Sequence, residues 1–198
     1  SYGDIAERYY TVGQYMKEVK DVSKAMAAAG DSYICDEYLN AMGSPEAESV
    51  YVLHDLNNDG IEEFFIGLKF NYDIPYYVIY DVYTWKDGRA YQLMRGIGYR
   101  NGSCKICENG VIEDNYSGSA WDGQTLYHIL PEGGIELETI DSVSSRRDGT
   151  VQSYYHWNEL IDENSLQTIL EQYQPESVTY VDCNRETIEQ LRLSGIRK

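Results

Sequence analysis

The segment from residue 55 to residue 63 reads DLNNDGIEE and carries side chains suited to a hard cation. Calcium takes about six to eight oxygen ligands, and residues one, three and five of a short loop point inward together when the chain coils around the ion. Acidic or amide side chains hold those positions here, a glycine permits the turn, and an acid stands at position nine. The sequence predicts a calcium site with the ligands Asp55, Asn57, Asp59, Ile61 through its carbonyl, and Glu63.

These nine residues resemble the calcium loop of EF-hands, dockerin modules and the repeats of integrin-type propellers, whose pattern is D-x-[DN]-x-[DN]-G-x-x-[DE]. An EF-hand has a bidentate glutamate at position twelve, where this chain has Ile66, and the residues after the loop favour a strand instead of a helix. The resemblance therefore implies a shorter loop that opens into a strand. A plain acidic turn is the alternative, since Asn58, Asp59 and Gly60 alone suffice to form one.

Aromatic residues form a second set with possible chemistry. Tyrosine occurs 20 times and phenylalanine 3 times, and a ring with one polar end suits half-exposed sheets and contact surfaces. A sheet with one solvated face is the simpler explanation of the high tyrosine content, and a binding surface for sugar rings is the more specific one. The possible ligand contacts are Tyr83, Trp85, Tyr91, Trp121 and Trp157.

A hydrolase is the alternative to a binding function. Ser117 or Ser119 could pair with His128 or His156, but the G-x-S-x-G elbow that typifies many such enzymes is absent from the sequence. We therefore predict no catalytic residue, and we expect the histidines to be partly buried sheet residues.

Cys104 and Cys107 have the spacing of zinc ligands, but no second C-x-x-C follows them. Residues three apart in a strand project to opposite faces of the sheet. We therefore predict that both are buried free thiols.

Helices are predicted at both ends of the chain. Apolar residues recur at spacings of three and four from residue 4 to residue 29, Gly30 supplies a stop, and a second helix runs to Met42. This helical pair occupies residues 1–43. At the other end, residues 158–198 are predicted to form helix, strand and helix, with Asp162 and Asn184 as the two N-caps.

Residues 49–157 are predicted to form one large antiparallel meander sheet, because short runs rich in valine, isoleucine and tyrosine alternate with turn signals. In the strand over residues 76–85, we expect Val78, Tyr80 and Val82 to face the core and Asp81 to face solvent. The predicted strands span residues 50–54, 63–70, 76–85, 89–95, 103–107, 111–116, 124–130, 135–140 and 151–157. The predicted turns are Asp87-Gly88, Asn101-Gly102, Asn109-Gly110, Gly133-Gly134 and Asp148-Gly149.

Length and charge set the limits of this interpretation. The 198 residues are predicted to form a single α+β domain, with the helical pair packed on the sheet and C-terminal helices beside it. The 33 acidic residues against 16 basic ones give a net charge of −17, which opposes binding to nucleic acid. No stretch approaches the roughly 20 apolar residues of a membrane span.

The wider frame resembles uncharacterised exported or lipid-anchored proteins of Gram-positive bacteria. That frame consists of an N-terminal helical part, a strand that ends in HDLNNDG, a tyrosine-rich strand that ends in KDG and a late helical stretch. The resemblance implies an extracellular or envelope-anchored location. The chain begins at Ser1 without a methionine, which favours a mature chain whose export signal has been removed. The sequence therefore predicts a non-enzymatic extracellular module with a structural calcium loop and a surface or glycan ligand.

Overall fold

The computed structural model describes residues 1–29, 34–97, 104–117, 121–130, 134–144 and 152–194. Within these ranges the chain forms five helices and two antiparallel sheets, which confirms the predicted α+β class. No helix in the described ranges is long and apolar enough to cross a membrane. The chain divides into two compact units, the first containing Ser1–Asp55, Asp59–Ile97 and Val178–Lys198, and the second Leu56–Asn58 and Gly98–Ser177. The single domain stays a prediction.

The elements follow one another along the chain in three groups. The N-terminal helices are α1 (Tyr2–Val19), α2 (Val22–Ala29) and α3 (Asp36–Met42). The strands that follow are β1 (Ala47–His54), β2 (Glu63–Phe70), β3 (Tyr76–Lys86), β4 (Arg89–Arg95), β5 (Cys104–Cys107), β6 (Val111–Ser117), β7 (Trp121–Ile129), β8 (Ile135–Ser144), β9 (Gln152–His156) and β10 (Glu159–Ile161). The last elements are α4 (Glu163–Leu170), β11 (Val181–Asp182) and α5 (Arg185–Leu193).

The first unit is built on a five-stranded antiparallel sheet with the order β11-β1-β2-β3-β4. Helix α1 buries one stripe of residues against the core of this unit, as the three-and-four spacing predicts. Tyrosine fills much of this core. The core tyrosines are Tyr2, Tyr9, Tyr38, Tyr51, Tyr80 and Tyr83.

The second unit is built on a six-stranded antiparallel sheet with the order β10-β9-β8-β7-β6-β5. Leu166 of α4 packs into its apolar core with Cys107, Val111, Leu126 and Ile140. The predicted single meander is therefore divided between two sheets. Hairpin signals mark where a strand reverses, but they do not mark where one sheet ends and another begins.

The predicted helix over residues 4–29 is two helices. Lys20 adopts the left-handed conformation with φ 52°, and its backbone N–H donates to the Met16 carbonyl at 3.0 Å, which ends α1. The Asp21 side chain then accepts a hydrogen bond from the Lys24 backbone N–H at 3.1 Å in the first turn of α2. Gly30, the predicted stop, lies outside the described residues.

The expectation that Asp81 faces solvent is wrong. Val78, Tyr80 and Val82 are buried as predicted, but Asp81 is also fully buried, so β3 has no solvated face at this point. The carboxylate is tolerated there because it accepts hydrogen bonds from the Tyr9 hydroxyl and from the Gly96 backbone N–H at 3.0 Å. The strand pattern alone gives no sign of these donors.

Several local predictions are confirmed. Asp162 caps α4 and Asn184 caps α5 through their side-chain oxygens. The turns Asp87-Gly88 and Asn109-Gly110 have positive φ at both residues, as hairpins of this type require. The turns predicted at Asn101-Gly102 and Asp148-Gly149 lie outside the described residues, as does Gly133 of the predicted Gly133-Gly134 turn.

Candidate functional site

A pocket of about 410 Å³ lies in the first unit, beside α1 and the β3–β4 hairpin. Its volume falls within the range of small-molecule sites. Helix α1 lines it with Asp4, Arg8 and Tyr9, whereas the hairpin lines it with Tyr83, Arg89, Tyr91 and Gln92. Strand β4 ends the five-stranded sheet in the order described above, so the pocket lies at a sheet edge.

A chain of hydrogen bonds runs from the pocket lining to a buried carboxylate. The Gln92 amide donates to the Tyr83 hydroxyl at 3.2 Å, and the Tyr83 and Tyr9 hydroxyls are 3.0 Å apart. The Tyr9 hydroxyl then donates to Asp81. Because Tyr9 uses its proton on Asp81, Tyr83 is the donor between the two phenols.

The protonation of this chain follows from burial. Burial raises the pKa of Tyr9 well above its ordinary value, and the negative charge of Asp81 raises it further. Burial likewise raises the pKa of Tyr83. Burial also raises the pKa of Asp81, although hydrogen bonds from Tyr9 and the Gly96 N–H act in the opposite direction. Both phenols therefore keep their protons and direct them toward the carboxylate.

Arg89 forms one wall of the pocket together with Tyr91. The Arg89 guanidinium lies 4.5 Å from the centre of the Tyr91 ring and donates to the Tyr91 hydroxyl. Among the described residues it forms no ion pair, so its positive charge is not neutralised by a carboxylate. The guanidinium covers this face of the Tyr91 ring, so a ligand would interact with this wall mainly through hydrogen bonds and charge.

The predicted aromatic contacts separate into three groups. Tyr83 and Tyr91 line the pocket. Trp85 packs against the core of the first unit, with its ring 5.9 Å from that of Tyr2 and perpendicular to it. Trp157 is half exposed in the second unit, whereas the side chain of Trp121 lies outside the described residues.

The loop that begins at Asp55 is held by its own backbone. The Asp55 carboxylate accepts hydrogen bonds from the N–H groups of Asp59 at 3.1 Å and Gly60 at 2.9 Å, and Asp59 accepts from Ile61 at 2.8 Å. Gly60 has φ 85°, a conformation that glycine adopts without strain. These bonds close the turn between Asp55 and Ile61, an arrangement that the calcium loop and the plain acidic turn have in common.

The other two side chains among the predicted ligands have different surroundings. The Asn57 amide donates to the Leu130 carbonyl at 3.1 Å within the second unit. Glu63 is fully buried at the start of β2, where its carboxylate accepts from the Thr84 hydroxyl at 3.0 Å. Within the described ranges, no group of three or more His, Cys, Asp or Glu side chains is arranged to hold a metal. The carboxylate oxygens of Asp55 and Asp59 are suitable calcium ligands. The Glu63 carboxylate is the least suitable, because it is buried and accepts from Thr84.

A polar cluster that the sequence analysis did not identify lies in the second unit. Glu138 of β8 accepts hydrogen bonds from His128 Nε2 at 2.9 Å, His156 Nε2 at 2.6 Å and the Tyr173 hydroxyl at 2.9 Å. Burial acts to raise the pKa of Glu138, but the bonds from Tyr173, His128 and His156 lower it below its ordinary value. The period of two places both histidines on the same face as Glu138 once the strand register is known.

These contacts bear on the hydrolase alternative. His128 and His156 are partly buried sheet residues, as expected, and the Nε2 of each is bonded to a carboxylate instead of a nucleophile. The side chains of Ser117 and Ser119 lie outside the described residues. All four cysteines are buried free thiols, which confirms the prediction for Cys104 and Cys107. Burial raises the pKa of Cys107 to about 11 and that of Cys183 to about 12, so neither is an activated nucleophile.

Comparison with known proteins adds no assignment to this geometry. No protein-family model, curated protein or solved structure matches the chain. The pocket, the Asp55 loop and the Glu138 cluster are therefore interpreted from their own contacts.

Proposed function

We propose that this protein is a non-enzymatic extracellular module that binds a glycan in the pocket beside α1 and the β3–β4 hairpin. The observation that carries the proposal is the chain of hydrogen bonds from Gln92 through Tyr83 and Tyr9 to Asp81. It fixes the orientation of polar groups in a pocket of about 410 Å³ before any ligand arrives. Sites with oriented hydroxyl and amide groups suit ligands that are dense in hydroxyls.

The charge and aromatic content of the pocket support the same ligand class. Two of the five aromatic residues predicted to contact a ligand, Tyr83 and Tyr91, line it. Asp4, Arg8 and Arg89 add charged groups at its walls. Planar polar side chains of this kind form paired hydrogen bonds with neighbouring hydroxyls.

The test is titration of the protein with a panel of neutral and acidic hexose oligosaccharides, followed by NMR of the β4 backbone resonances. Replacing Tyr83 with Phe should weaken binding about tenfold, because one hydrogen bond of the pocket is lost. Tyr77→Phe is the matched control, since Tyr77 is a partly exposed tyrosine of the same strand that stacks on Tyr180.

A second variant tests the pocket without disturbing its hydrogen bonds. Ala90 lines the pocket and is partly buried against the core of the first unit, so Ala90→Leu should fill part of the volume and weaken binding, and its thermal midpoint measures any accompanying loss of stability. The proposal fails if no saccharide in the panel moves the β4 resonances. It also fails if Ala90→Leu and Tyr83→Phe both bind as well as the parent.

A structural calcium ion at the Asp55 loop is a second proposal, supported by the two carboxylates and the positive φ of Gly60. Asp55, Asp59 and the Ile61 carbonyl are the ligands proposed within the first unit, with Glu63 contributing only if its bond to Thr84 opens. A site that lacks the twelfth-position glutamate should have a dissociation constant near ~10⁻⁴ to 10⁻³ M, the range of extracellular modules.

Calcium binding should raise the midpoint of thermal unfolding. A ligand at about 100 times its dissociation constant adds about 2.7 kcal/mol to the free energy of unfolding. Asp59→Ala should abolish this response, and Asp73→Ala, which removes an exposed acid outside the loop, should preserve it. Identical melting curves in chelator and in calcium would show that the loop does not bind calcium.

A further inference from the structure

The pocket lining accepts hydrogen bonds at one position and donates them at another. At the buried end, both phenolic protons point toward Asp81, and the Tyr83 oxygen accepts from the Gln92 amide at 3.2 Å and keeps one further lone pair as an acceptor for a ligand. A ligand group placed there must donate, as a hydroxyl does.

A second position on the same hairpin has the reverse polarity. Arg89 lines the pocket and is exposed, and its guanidinium contacts only the neutral Tyr91 hydroxyl and ring among the described residues. A guanidinium matches a carboxylate in both charge and geometry, because two parallel N–H groups meet two oxygens. Arg8 lines the same pocket from α1 and adds positive charge.

Asp4 limits how much negative charge a ligand can carry. It lines the pocket as a carboxylate, so a second anionic group beside it would be repelled, and the ion pair with Arg192 at 3.3 Å reduces that repulsion only in part. The net charge of −17 has less influence, since charges more than about 8 Å apart are largely screened at physiological ionic strength.

We propose that the preferred ligand is a hydroxyl-rich sugar with a single carboxylate, such as a uronic acid residue of an acidic glycan. The carboxylate pairs with Arg89 and a ring hydroxyl donates to Tyr83. This inference rests on the proposed function, because it assigns the ligand class of the same pocket.

The experiment compares oligosaccharides that differ only at C6, with galactose against galacturonic acid and glucose against glucuronic acid. The parent should bind the better of the two acids about tenfold more tightly than its neutral partner, because a hydrogen bond to a charged group is stronger than one to a neutral group. Arg89→Gln should abolish that difference. Arg185→Gln is the control, since it removes the same charge from an exposed position of α5 outside the pocket.

Acetate and inorganic phosphate separate a sugar site from a general anion site. Neither should displace the uronic acid ligand when present at the same concentration. Displacement by either one, equal affinity for the acid and its neutral partner, or an unchanged preference in Arg89→Gln would overturn the inference. Glycan binding itself would survive the second and third of these results, whereas binding of no saccharide at all would reject the proposed function as well.

Discussion

The hydroxyl group of a buried tyrosine needs a hydrogen-bond partner, and three buried tyrosines of the first unit each have a different one. Tyr38 is fully buried and lies 2.6 Å from the Ser49 hydroxyl, and Tyr2 donates to the Glu62 carbonyl at 2.9 Å. Tyr9 uses Asp81 for the same purpose. The Tyr2 and Tyr9 pairs join segments 60 and 72 residues apart, so the high tyrosine content adds polar specificity to an apolar core.

Glu138 allows a prediction at the same scale. Hydrogen bonds that exist only in the folded state lower its pKa. The ionised carboxylate therefore stabilises the folded state when the pH is above the pKa of the unfolded state, near 4.5. That contribution is lost as the pH falls through the folded pKa. Glu138→Gln should therefore lower the free energy of unfolding by about 1–3 kcal/mol at pH 7, and by much less at pH 3.

Urea unfolding at the two pH values measures this difference. Glu136→Gln is the control, because Glu136 is an exposed residue of the same strand. An equal cost of Glu138→Gln at both pH values would contradict the role assigned to the ionised carboxylate.

The break between α1 and α2 is the clearest feature at the scale of elements. Lys20 holds a left-handed conformation that an L-residue with a side chain adopts at a cost, whereas glycine adopts it freely. The two helices are thus separated by backbone conformation instead of by a helix-breaking residue type. This is why the spacing of apolar residues predicts one helix where the structure has two.

Replacing Lys20 with glycine should stabilise the protein by about 0.5–1 kcal/mol, since the strain at the cap is relieved. Lys17→Gly, in the last turn of α1, should destabilise it by about 1 kcal/mol, because glycine is a poor helix former. Chemical unfolding of both variants distinguishes them. Destabilisation by Lys20→Gly would show that the lysine side chain matters more than the conformation.

Elements with a local signal were predictable, and contacts between distant elements were not. The caps at Asp162 and Asn184 and the turn at Asn109-Gly110 depend on residues within a few positions of one another. The Trp157-Asn158 turn between β9 and β10 has positive φ at both residues but lacks the glycine that would have indicated it. Tyr9 and Asp81 at the pocket are 72 residues apart, and no periodicity of the sequence connects them.

The candidate site shows the same division between local and distant information. Tyr83 and Tyr91 were predicted as ligand contacts because their residue type suits the task, and both line the pocket. Arg89 gave no such signal, since a charged residue beside a turn glycine is ordinarily solvent-exposed. It lies beside Tyr91 because residues two apart on a strand share a face, but its place in the pocket depends on α1, which is distant in sequence.

Charge is the property that belongs to the whole molecule. The excess of 33 acidic over 16 basic residues gives a net charge of −17, and no counterion release is available to favour binding to a phosphate backbone. We expect no measurable affinity for duplex DNA by fluorescence anisotropy, even at low salt. Affinity that falls as salt is added would contradict this prediction.

The alkylation rates of the four buried thiols can report how often the surrounding structure opens. Each compact unit contains two of them, Cys35 and Cys183 in the first and Cys104 and Cys107 in the second. A reagent that attacks thiolates must wait until the surrounding structure opens, because burial both shields these groups and raises their pKa. The rate at which each peptide acquires an alkyl group, read by mass spectrometry, therefore reports how often its own unit opens, without any engineered label.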